Sequence, residues 1–274
     1  MDLSPRHRSH PDARRRPEPA RHPGDAARRR PGSHREALRG SADLRGRIDR
    51  GRQHLPGGGG VIPAIFEQLV AGLDAPDVAA RVQSRGREAR GGRQAAVLIA
   101  FTAEAEGPRV VLIEKTGHLR KHAGQVAFPG GGVEPDDVSV VAAALREADE
   151  EVGLDPEAVR VLGVLPDAHV RASGFDVAPV VAWWRTPTWL APADTHEIES
   201  VHVVPVRTLV DPVNRVTYVH PLGFRGPAFL VGDLFIWGFT GHLLDFVLEA
   251  AGWALPWDAA REESIPERFR HGKR

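Results

Sequence analysis

The 274-residue chain contains no cysteine, so neither a disulfide framework nor thiol chemistry is open to it, and the expected location leans towards the cytoplasm. No apolar run reaches 18 residues, which excludes a membrane-spanning helix and leads us to expect a soluble protein. Methionine occurs once, at position 1. No internal repeat is present, and the formal net charge is zero. One local absence matters more. Residues 146–154, READEEVGL, carry three glutamates with no lysine among them to dilute the repulsion expected on an ordinary solvated helix.

With 42% hydrophobic residues, the chain can bury one full core and little more, so one catalytic domain is expected. The zero charge hides an asymmetry. Residues 1–54 carry 15 arginines against 7 acidic side chains, a balance of +8 that the remainder offsets with −8. That arm is proline-rich with few bulky apolar residues, so residues 1–60 are expected to be disordered. It could bind nucleic acid through counterion release, it could be a targeting peptide, which its acids and prolines fit poorly, or it could be a translated upstream stretch. The last is carried forward: Val61 or a neighbour is expected to be the true start, and nucleic acid is not expected as the main partner.

At about 100° per residue, Glu147, Glu150 and Glu151 fall within roughly 100° of arc, with Val141, Leu145, Ala148 and Val152 on the far side. Such an acidic face suits a hard divalent cation, Mg²⁺ or Mn²⁺. Mg²⁺ takes few carboxylates and keeps its other positions for water and phosphate oxygens. Glu147 and Glu151, one turn apart, are the expected main ligands, with Glu150 beside them. Just upstream, Phe128, Pro129, Gly130, Gly131 and Gly132 end an apolar run in a turn where backbone N–H groups can approach an anion. Asp136 or Asp137 is the expected N-cap of the acidic helix.

These residues resemble the Nudix hydrolases, whose box reads G-x5-E-x7-R-E-U-x-E-E-x-G-U, U being a bulky apolar residue. Gly132, Arg146, Glu147, Glu150, Glu151, Gly153 and Leu154 fall on it. Val138 stands where the first glutamate is usual, beside Asp137, and Ala148 stands at the first U. The stretch before the box is similar to the signature of the coenzyme A pyrophosphatase branch, L-L-T-x-R-[SA]-x3-R-x3-G-x3-F-P-G-G. Leu112, Ile113, Lys115, Thr116, Arg120, Gly124, Phe128, Pro129, Gly130 and Gly131 occupy its places. Lys115 replaces an arginine there, keeping charge but losing the bidentate fork.

The resemblance implies divalent-metal-dependent hydrolysis of the diphosphate linkage of coenzyme A or its thioesters, giving 3′,5′-ADP and 4′-phosphopantetheine. It also leaves open another nucleoside diphosphate derivative (ADP-ribose, a dinucleotide or a nucleoside triphosphate), or a catalytically silent binding module. Arg146 is expected to orient a ligating carboxylate. Lys115, Arg120 and His122 are expected to meet substrate phosphate, with Phe128, Gly130 and Gly131 also touching substrate. The base is Glu197 in THEIESVHVVPV or Glu150 on the box helix, with Glu199 a neighbouring choice. A homodimer stays open.

Elsewhere, IPAIFEQLVAGL suggests a helix outside the core in a segment spanning 61–91, followed by polar linker. Strands are expected at 95–101, 109–115, 159–165, 176–184 and 200–206. Residues 233–252 read as a helix ending at a glycine, with Leu234, Trp237, Leu244 and Leu248 towards the sheet. His169, Arg171, Ser173 and Phe175 read as loop, His242 as a packing residue, and Trp183, Trp184 and Trp189 as core. The sum is an α/β protein, a Nudix-type α/β/α sandwich with a mixed β-sheet over 92–257, and a polar tail over 258–274.

Overall fold

The computed structural model describes residues 61–84, 87–117 and 124–270. An eight-stranded sheet holds β1 (Arg93–Phe101), β2 (Arg109–Lys115), β3 (Val126–Ala127), β4 (Gly130–Gly132), β5 (Val159–Val164), β6 (Ala168–Val170), β7 (Phe175–Trp184) and β8 (Ile198–Pro205). β1 and β7 run parallel from Arg93↔Phe175 to Phe101↔Trp183, whereas the other pairings are antiparallel, so the sheet is mixed. β4 pairs with β1 through Ala95↔Gly132, Ala96↔Gly131 and Val97↔Gly130, so the three glycines, expected as a turn, form a short strand at the end of the sheet where β1 and β7 begin.

Alternation along β1 divides the core. Ala96, Leu98 and Ala100 face helix α3 (Val140–Val152), joined by Val111 and Ile113, and pack on Val141, Ala144, Leu145 and Ala148. Ile99 and Phe101 face the other way, with Leu112, towards α1 (Glu67–Leu73) and α5 (Gly238–Ala250). Helix, sheet, helix is the observed layering. Ser139 caps α3 by accepting the Ala142 N–H at 3.1 Å, and Gly153 ends it in the left-handed conformation at φ 70°. The cap is therefore Ser139, not Asp136 or Asp137; Asp137 is drawn instead to an arginine described below.

Four expectations are corrected. Phe66 and Leu69 of the first amphipathic segment are fully buried against the sheet, so α1 belongs to the core, each large side chain contributing about 1.5–3 kcal/mol. The stretch after it is not all linker, because a short helix, α2 (Val78–Val82), buries Val78 and Val82. The helix read from 233 starts at Gly238; Leu234–Ile236 is strand β11, and Trp237 packs on Tyr218 and Phe269 rather than on the main sheet. Trp189 is 90% exposed while Trp184 is buried.

A second, four-stranded sheet went unexpected. It orders β11, β10 (Arg225–Val231), β9 (Arg215–Val219) and β12 (Glu262–Ser264), the last joining β9 in parallel. Ile265 and Phe269 bury beside Val216 and Tyr218, so much of the presumed polar tail packs into this sheet. Arg215, buried between the rings of Phe229 and Trp257 and paired with Asp245 of α5, ties the sheet to the domain. Helix α4 (Val206–Val210) links the two sheets.

Candidate active site

Two glycines let the acidic side of α3 come down onto β4. A Cβ on Gly131 would collide with the Glu147 carboxylate, and one on Gly130 with the carbonyl oxygen of Ala96. The freed backbone is used at once: the Gly130 N–H donates to Glu151 Oε2 at 2.9 Å. Glu151 Oε1 accepts from Lys115 Nζ at 2.7 Å, and the same ammonium reaches Glu197 Oε1 at 3.0 Å.

Arg146 works as the brace of the helix. Its Nε and Nη2 donate to the two oxygens of Asp137 at 3.1 and 3.0 Å, and Nη2 also donates to the Gly132 carbonyl at 3.1 Å. Nη1 donates to Glu147 Oε1 at 3.1 Å and to Glu150 Oε2 at 2.9 Å. One planar guanidinium thereby links helix, glycine strand and the loop between them, a geometry lysine would not reproduce.

The carboxylates meet in a cleft of about 330 Å³ lined by Gly130, Gly131, Gly132, Glu147, Glu150, Glu151, Asp194, Glu197 and Ile198. Glu147 and Glu151 are mostly buried, whereas Glu150 and Glu197 keep side-chain exposures of 59% and 55%. Burial pushes the Glu147 carboxyl above its usual range, and Glu150 and Glu151 add repulsion, more than Arg146 takes away. Burial alone would lower Lys115, but the adjoining Glu151 and Glu197 outweigh it and hold the ammonium above its usual value.

Among the described residues no group of three His, Cys, Asp or Glu side chains stands ready as a metal cage. The donors still fit a hard cation, since all are oxygens facing one cleft and Mg²⁺ needs only one or two of them beside water and phosphate.

Lys115, expected on phosphate, is held by two carboxylates, Glu151 and Glu197. Phe128, expected to touch substrate, buries its ring in the core on the α1 and α5 side, where it is 3% exposed. Gly130 and Gly131 do line the cleft, whereas Glu199 does not. Arg120 and His122 lie outside the described residues, as does the arginine-rich arm. Asp194 is a cleft residue that sequence reading missed. It sits in a polar turn, accepting the N–H groups of His196 through its side chain and of Glu197 and Ile198 through its carbonyl. His169 bonds the buried Asp176 at 2.8 Å and His242 bonds the Val82 carbonyl at 3.0 Å, both as packing groups.

The sequence model of the NUDIX domain matches residues 92–220. The uncharacterized Nudix hydrolase NudL of Citrobacter koseri is 42% identical over 159 residues, covering 56% of this chain and 79% of that protein. NudL of Escherichia coli O7:K1 is also 42% identical, over 165 residues, with coverages of 58% and 82%. Among solved structures, the M. smegmatis Nudix hydrolase RenU shares 20% identity over 58% of this chain and 86% of its own, with a TM-score of 0.43. The chain belongs to the Nudix hydrolases and is an enzyme of that pyrophosphohydrolase class. Members of the class generally use divalent metal ions. Among the described residues, no helix is long and apolar enough to cross a membrane.

Proposed function

We propose that the protein hydrolyses the diphosphate linkage of coenzyme A or its thioesters, releasing 3′,5′-ADP and 4′-phosphopantetheine. The observation that carries the reading is the cleft itself, with four glutamates facing a strand of three glycines. The similarity of residues 112–131 to the coenzyme A branch supports the choice of substrate. Glu147 and Glu151, with Glu150 beside them, would hold Mg²⁺ or Mn²⁺, which when bound supplies charge neutralisation and a more acidic water.

The chain's own groups divide the remaining work. Glu197, which lines the cleft and reaches it from outside α3, is the group we assign to take the proton of the attacking water, with Glu150 on α3 the alternative; each is held by one cation, Glu197 by Lys115 and Glu150 by Arg146. Arg146 fixes the Glu147 and Glu150 carboxylates against Gly132 and Asp137, a positioning role. Lys115 draws Glu151 and Glu197 to one ammonium, at 2.7 and 3.0 Å. Gly131, without a side chain, leaves room for the Glu147 carboxylate to lie against the glycine strand at the cleft.

The test uses the full chain with Mg²⁺ or Mn²⁺, offered coenzyme A, ADP-ribose, NADH and nucleoside triphosphates, with products separated by chromatography. Formation of 3′,5′-ADP from coenzyme A at the highest kcat/KM is expected. Preference for any of the others would overturn the substrate assignment.

A further inference from the structure

Two cations at the cleft are committed to carboxylates, Arg146 to Asp137, Glu147 and Glu150, and Lys115 to Glu151 and Glu197. Two arginines at the same end of the sheet differ. Arg93 and Arg171 are exposed, and among the described residues neither has a carboxylate within ion-pair distance. Each lies instead on an aromatic ring: Arg93 Cζ is 4.2 Å from the Phe175 centroid, and Arg171 Cζ is 5.8 Å from that of Phe224.

Their placement follows from strand register. Arg93 and Phe175 are partners at the first position of parallel strands β1 and β7. The Phe175 ring comes within 4.0 Å of where a Cβ on Gly132 would stand, so it abuts the last glycine of the cleft strand. Gly131, beside Glu147, pairs with Ala96. Arg93 is three residues from Ala96, roughly 10 Å at about 3.3 Å per residue, around the sheet end from the acidic helix. Arg171 lies in the turn between β6 and β7, four residues before Phe175, and meets the half-exposed Phe224 just ahead of β10.

A guanidinium laid on a ring is held in place by the ring face while its N–H edge stays available for two parallel bonds to an oxyanion. Two such groups flanking one turn suit a dianionic phosphomonoester. If a diphosphate occupies the acidic cleft, a nucleoside attached to it and running over Gly132 would bring its ribose to this turn. We infer that Arg93 and Arg171, braced on Phe175 and Phe224, are specificity-determining residues that bind a phosphomonoester on the ribose of the substrate's nucleotide half. This rests on the coenzyme A reading, since coenzyme A carries a 3′-phosphate there and dephospho-coenzyme A does not.

The experiment compares kcat/KM for coenzyme A and dephospho-coenzyme A in the full chain, in Arg93→Ala, in Arg171→Ala, in the double variant and in Arg93→Lys. The wild type is expected to favour coenzyme A by at least about tenfold, mainly through KM, since two charge-assisted contacts are made to the extra phosphate. In the double variant the ratio falls towards one, and Arg93→Lys recovers part of it. A wild type that treats the two substrates alike, or a ratio unmoved by the double substitution, would overturn the inference. A calorimetric arm measures 3′,5′-ADP against 5′-ADP without turnover. If coenzyme A is not hydrolysed yet 3′,5′-ADP binds more tightly in an arginine-dependent way, the coenzyme A assignment falls and the phosphate site stands. If neither nucleotide discriminates, the arginines are ordinary surface groups.

Discussion

Helices α3 and α5 are each 13 residues long and lie on opposite faces of the same sheet, yet they are built for different ends. α3 buries seven residues and turns a carboxylate row to an open cleft. α5 buries nine, because α1 and α2 cover its outer side: His242 meets the Val82 carbonyl, and Arg81 pairs with Glu249. A helix enclosed on both sides contributes stability and spends its few charges on neighbouring arginines, whereas a helix enclosed on one side can turn a carboxylate row to an open cleft. The contrast predicts that substitutions in α5 fail by unfolding and substitutions on the α3 ridge fail by lost rate.

The largest expected effect breaks the structural helix. Leu244→Ala, at a fully buried site, should lower unfolding free energy by about 2–5 kcal/mol in denaturant titration, while the fraction still folded keeps its kcat. Next, Glu151→Gln should reduce turnover by about 100-fold or more, at least about 2.7 kcal/mol of barrier, with little change in Tm; full activity in that variant would refute the metal assignment. Asp137→Asn should cost roughly 1–3 kcal/mol at pH 7 by removing the Arg146 brace. The Arg146 guanidinium holds the Asp137 carboxyl below its usual range. Its contribution is therefore full above the unfolded value of about 3.9 and disappears as pH falls through the lower folded one, so the gap between wild type and variant should close in acid unfolding below about pH 4. The smallest effect sharpens the comparison: Ser139→Ala should remove about 1 kcal/mol by uncapping α3, with no defect in kcat once the protein is folded.

Legibility in the sequence followed the range of the interactions. β2 was read at its observed bounds, and β1, β5, β7 and β8 to within a few residues, because their β-branched runs are contiguous signals. The apolar and acidic sides of α3 follow from 3.6-residue periodicity alone. The carboxylate partners of Lys115 were not legible because they come from 36 and 82 residues further along the chain, which no local pattern conveys. Phe128 was placed on substrate by analogy with its motif, yet its ring turns to the core. Asp194 looked like any loop aspartate until the fold set its turn against the cleft. The second sheet escaped notice since β9 and β11 are short and β10 carries Pro227 within it, where a sheet normally needs an N–H.

The join of β12 to β9 has a practical side. Were the chain cut after Trp257, β9 would lose its parallel neighbour, and the apolar groups under Ile265 and Phe269 would meet water. A raw strand margin of that kind recruits other chains, so shortened versions should precipitate or associate before any fault in turnover could be measured.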